Sequence, residues 1–309
     1  MPDNSPERNK DSKLMEVAKR MLKEQPLGTV GAFITVIMLL IAIFASFLAP
    51  YGVNQMTGVI LAHPSLKFLM GTDNLGRDIL SRVIYGARIS VTVGIFATLI
   101  GVIISAMIGM LSAYIGGVFD LILQRFVDAV MCFPSLIILM VLVSLVGPGL
   151  WQIIIILGVV GGISGSRMVR GIVFSMKESM YLQSAVAIGG STSTVIKSHV
   201  LPNILAPLIV IFSMSVPGTI LAEAGLSFLG FGVPPPTPTW GGMLSGDARI
   251  YMLQAPWMAF FPGLALAILV YGVNMFGDAV RDILDPRLRG GVGRYGVKVV
   301  QKDIKHELK

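Results

Sequence analysis

Ser164 sits among small residues in Gly162-Ile163-Ser164-Gly165, the Gly-x-Ser-Gly spacing of an intramembrane serine-protease nucleophile. Such a serine needs a base at membrane depth to take its proton. The three histidines, His63, His199 and His306, are scattered, and the one nearest in sequence, His199, falls in a polar loop. With Cys132 the only cysteine, no histidine or cysteine cluster has metal-ligand spacing either. There is no Gly-Lys dipeptide, hence no Gly-x-x-x-x-Gly-Lys-Ser/Thr loop to cradle nucleotide phosphates. What remains is a set of ionisable groups in apolar surroundings: Arg125 and Asp128 at i, i+3, and Glu223. Groups of that kind either satisfy one another or face a transport pathway. An ion-driven transporter would rest on Asp128 and Glu223, but the internal repeats common in such carriers are not visible.

The segments that hold these residues are too apolar for a soluble domain. Of 309 residues, 54% are hydrophobic and 13% are charged, against about a quarter charged in soluble domains. Four stretches, Gln25 to Leu66, Ile89 to Phe119, Ala129 to Ser166 and Ile250 to Gly277, contain no Asp, Glu, Lys or Arg. Each is longer than the roughly 20 residues that cross a bilayer. The expected architecture is an all-α polytopic membrane protein with six spans, near 27–48, 89–115, 123–146, 150–168, 204–223 and 257–277. Pro50 stops the first span, and Gly147-Pro148-Gly149 turns the third into the fourth. The first span is read as an uncleaved anchor. Around it lie an N-terminal segment 1–26 and an external segment 49–88; the five-helix core then covers 89–280, with a basic tail at 281–309.

An even number of spans leaves both termini on one side. Residues 1–26 hold six Lys or Arg and residues 281–309 hold eight. With Arg125 and the segment 167–203, this topology places 19 basic residues inside and five outside, so both termini are expected in the cytoplasm. The net charge of +7 is then a membrane-orientation signal and not the footprint of a nucleic-acid partner. Gly101, Ser105, Gly109, Ala113 and Gly117 recur every fourth residue, one row on a helix where another backbone can approach closely. Gly158, Gly162 and Ser166 repeat the theme in the fourth span.

The loop between spans four and five reads as two short helices about Gly189-Gly190, closed by Leu201-Pro202. Gln183, Ser184, Ala185, Gly189, His199, Leu201 and Pro202 stand at the spacing of Glu-Ala-Ala, three residues, Gly, nine residues, Ile, any residue, Leu-Pro. This resembles the signature loop of the membrane subunits of binding-protein-dependent ATP-binding-cassette importers. Three positions depart: Gln183 for Glu, Ser184 for Ala, and His199 for Ile. Two further segments, Gly71 to Ser90 and Glu223 to Leu244, and the terminal Asp278 to Gly290, resemble the second permease subunit of dipeptide, oligopeptide and nickel importers.

The resemblance implies a type I importer permease: half of a heterodimeric pore, working with a second homologous permease subunit, two ATPases and an extracytoplasmic binding protein in the prokaryotic inner membrane. Its cargo would be di- or oligopeptides, with a nickel chelate as the alternative. ATP and magnesium would belong to the ATPases, with no cofactor in this chain. The loop 170–203 would couple to an ATPase. From the residues alone, Asp78 and Arg82 are placed for an i, i+4 pair. The proline run after Gly232 reads as an extended arch, with Trp240 as an interfacial anchor.

Overall fold

A computed structural model describes residues 21–22 and 25–284. Most of segment 1–26 and of the tail 281–309 therefore lies outside the described residues, as does the end of the Asp278 to Gly290 motif. Among the described residues the structure is helical, with two isolated β-bridges and no strand. Five helices or helical runs are long and apolar enough to cross a membrane, and a bent pair makes a sixth if it is counted as one span.

Helix α1 spans Pro26–Ile43, with proline at its start, where the absent N–H costs nothing; one further turn, α2, spans Ala45–Leu48. Helix α3, Ile79–Ile115, has 37 residues. At 1.5 Å per residue it is roughly 55 Å long, well beyond the roughly 30 Å hydrocarbon core. It starts ten residues before the expected span because Asp78 caps it: the Asp78 carboxylate accepts from Ser81 N at 2.8 Å and Ser81 Oγ at 2.6 Å, and nothing between Ile79 and Ile89 breaks a helix. Asp78 is thus a cap and not the ion partner of Arg82. The i, i+4 pair formed is Asp73–Arg77, at 2.6 Å.

The expected continuous span 123–146 is instead two helices, α4 (Gly117–Met131) and α5 (Ser135–Val146), bent by 89°. Pro134 lies in the break; it has no N–H to donate and steers Phe133 away from helical geometry. Helix α6 spans Leu150–Lys177. Beyond it lie α7 (Met180–Ala187) and α8 (Thr192–Val195), a π turn (Ile196–Val200), and α9 (Leu201–Phe228). Pro202 does not interrupt this run. The turn widens over Ile196–Val200, where the ring of Pro202 would otherwise meet the Ser198 carbonyl. After the proline arch come α10 (Trp240–Leu244), α11 (Asp247–Ile250) and α12 (Trp257–Leu284).

Two close seams hold the bundle. Helix α3 lies on α6, and α1 lies on α12. In the second seam, a Cβ on Gly31 would stand 2.6 Å from Phe276 N, and one on Gly272 would stand 2.8 Å from Ile34 Cβ. Apolar clusters fill the space between helices, one built on Val93, Ala97, Leu139, Ile153, Leu157 and Leu226. Large apolar side chains such as Phe33, Leu145 and Trp151 remain exposed, as surfaces for lipid or a partner helix require.

Candidate functional site

At one end of the bundle, α7 and α8 form a compact plug. Leu182 and Ala185 face inward and join Val195, Val200, Ile204 and Val169 in a buried cluster. The opposite face of α7 presents Gln183 and Ser184 with exposed apolar neighbours: Met180 is 84% exposed and Ile188 87%. Gly189 has φ +86°, and Gly190 N donates back to Ala185 O at 3.2 Å. This is a helix stop in which one residue turns left-handed so that the next amide can satisfy a terminal carbonyl. Ser191 then caps α8, its Oγ accepting from Thr194 N at 3.3 Å. His199 hydrogen-bonds Tyr181, tying the root of α9 to α7. Leu201 and Pro202 are exposed at the start of α9.

The row of small residues leads from this plug into the bundle. A Cβ on Gly101 would lie 3.3 Å from Gly158 O; one on Gly109 would lie 2.6 Å from Ser166 O and 2.7 Å from Arg170 N. Ser105 Oγ donates to Gly162 O at 2.8 Å, and Ala113 is buried. Four members of the row thus lie along α3, and Gly101, Ser105 and Gly109 directly abut α6. Gly117 does not belong to the seam, because the chain has already turned at Gly116 (φ +71°) and Gly117 is exposed at the start of α4.

Arg125 and Asp128 approach to 3.5 Å at an exposed site, and Asp128 also pairs with Arg167 of α6. Exposed pairs of this sort contribute about 0–1 kcal/mol. The better-formed pair is Asp120–Arg170, where Arg170 Nε and Nη2 donate to the two carboxylate oxygens at 2.7 and 2.6 Å. It bridges α4 to α6 beside the loop end of the seam. Glu223 is fully buried near the far end of α9; its Oε1 accepts from Ser227 Oγ at 2.6 Å, and Oε2 has no partner among the described residues. It therefore lines no open surface of this chain.

The far end is a crown formed by residues 49–78, the arch and α10. Thr72 ties it together, donating through Oγ1 to Val59 O at 2.7 Å and accepting there from Ala62 N at 2.8 Å. Trp240 is no interfacial anchor: it is 1% exposed, with Nε1 donating to Val83 O at 2.9 Å and its ring against Gly86. The arch turns at Pro235-Pro236 instead of running extended throughout.

Residues 101–290 match the family of binding-protein-dependent transport system inner membrane components. The chain belongs to this permease family. Residues 13–64 also match the N-terminal transmembrane domain of oligopeptide transport permease C. The glutathione transport system permease protein GsiD of Escherichia coli O157:H7 is 37% identical over 273 residues, covering 88% of this chain and 90% of that protein. The dipeptide transport system permease protein DppC of Alkalihalophilus pseudofirmus is 38% identical over 273 residues, with the same coverage. The protein is accordingly a multi-span permease subunit of an importer in the inner membrane.

Within this permease, the sequence did not reveal the Asp120–Arg170 bridge, whose partners are fifty residues apart, or the α1–α12 seam. The signal for that seam was available in Gly28, Gly31 and Gly272. Their spacing across two distant spans acquires meaning only once the spans are neighbours.

Proposed function

We propose that this permease forms half of a heterodimeric pore for di- or oligopeptides, paired with a second homologous subunit. An extracytoplasmic binding protein delivers cargo to the crown end. Two partner ATPases hold ATP and magnesium at the loop end. The observation that carries this reading is the plug built by α7, Gly189 and α8. It offers an exposed face of Met180, Gln183, Ser184 and Ile188 on a buried footing continuous with α9. Movement of an ATPase against that face would tilt α9 and α6 together, and nucleotide would shift the balance between two packings of the bundle by stabilising one of them. Peptide cargo is supported by the peptide names of the relatives, glutathione and dipeptide, over a nickel chelate.

In this reading the loop end and both termini are cytoplasmic. A reporter fused after Lys309 is expected to score as cytoplasmic, and one inserted within Pro234 to Thr239 as external. Two reporters on the same side would overturn the topology.

A further inference from the structure

The crown contains a cavity of about 410 Å³, bounded by the start of α3, the proline arch and α11. That volume falls within the roughly 300–1,000 Å³ of small-molecule sites. Its polar lining is not self-sufficient. Arg77 and Arg82 share one carboxylate, Asp73, which Arg77 engages at 2.6 Å and Arg82 at 3.8 Å. Arg82 is 8% exposed, and its other protein contacts are long, 3.3 Å to the Val53 carbonyl and 3.3 Å to the Asn54 side chain. It lies in the part of α3 that projects beyond the expected span. A guanidinium has five N–H donors in a planar fork suited to a carboxylate. Asp247 adds an exposed acid on the same cavity.

We propose that this cavity is a peptide subsite, in which Arg82 and Arg77 take the terminal carboxylate and Asp247 faces the terminal ammonium. The inference rests on the peptide reading above and locates a cargo contact within it. An acidic side chain of the binding protein shares the carboxylate chemistry, but one side chain would leave most of 410 Å³ and the acid Asp247 unused.

The test is saturation-transfer NMR on the complete permease–ATPase complex in nanodiscs without binding protein. The probes are alanyl-alanine and its C-terminal amide. Alanyl-alanine is expected to receive saturation, with the amide and the Arg82→Gln complex each weaker by about tenfold, the scale of a lost charge-assisted hydrogen bond. Lys67→Gln, a crown cation outside the cavity, is expected to match wild type. Thr237→Trp, which fills the cavity without removing a charge, provides the same loss if Arg82→Gln does not assemble. Equal signal from the amide, or an undiminished signal in both variants, would overturn the subsite. So would an Arg82→Gln complex that loses affinity for the binding protein while its dipeptide signal is unchanged. If the complex still drives dipeptide uptake in vesicles yet shows no saturation transfer, the subsite fails and the peptide reading stands. If it transports only another cargo, the peptide reading fails first.

Discussion

Gly109→Leu is expected to leave no folded permease. The Cβ alone would stand 2.6 Å from Ser166 O and 2.7 Å from Arg170 N, both backbone atoms of α6. Neither atom can move without parting two long helices along their seam. Overpacking in cores costs about 1–3 kcal/mol even where side chains can yield, and here the obstacle is backbone. Because the seam is internal to the chain, the loss should appear in the subunit's own stability before any partner is considered. Gly162→Ala is expected to behave alike in kind, since its Cβ would meet Gly101 O at 2.9 Å and Ile104 Cβ at 2.6 Å. The adjacent Gly161 supplies the control, for its Cβ would meet nothing within 4 Å. Size-exclusion yield and thermal midpoint in detergent would check the series. A stable Gly109→Leu subunit, or Gly161→Ala as damaging as Gly162→Ala, would refute close packing of the seam as the source of stability.

Gly189→Val is expected to uncouple the transporter while leaving it assembled. Open space surrounds the Gly189 Cβ position, so volume is not the issue. The cost comes from φ +86°, a conformation that glycine adopts freely and a β-branched residue resists. A left-handed residue with a Cβ loses roughly 1–2 kcal/mol, enough to shift the helix stop and turn the exposed face of α7 away from a docked ATPase. Asparagine tolerates this region better than other side chains, so stimulation of ATP hydrolysis by the binding protein should fall in the order Gly, Asn, Ala, Val. Affinity for the binding protein should change little, because the crown lies at the other end of the bundle. Unchanged stimulation in an assembled Gly189→Val complex would show that coupling does not depend on the helix stop at Gly189. A disulfide from Ser184→Cys to an ATPase would still report docking independently.

Much of the bundle was legible in the sequence because lipid imposes a one-dimensional rule. Uncharged runs located the helices, and a four-residue period in α3 with its echo in α6 marked surfaces that the structure sets against each other. Element ends were less legible. Asp78 could be read as an ion partner or a cap, and only the position of Ser81 N decides for the cap. Pro134 and Pro202 show why a proline is ambiguous: the first sits at an 89° bend, whereas the second is absorbed by a π turn. Trp240 misled because a tryptophan beside a span usually marks the membrane interface, whereas Gly86 gives it a place in the interior. The crown cavity was hidden because its charges come from 73–82 and from Asp247, two segments that meet only in the fold.

The most direct test of a binding-protein-dependent peptide permease is uptake into proteoliposomes. The vesicles would contain this chain, its partner permease and the two ATPases, with binding protein outside and ATP inside. Labelled dipeptide should accumulate only when ATP and binding protein are both present, and ionophores that collapse ion gradients should have no effect. Accumulation without ATP that ionophores abolish would contradict the account.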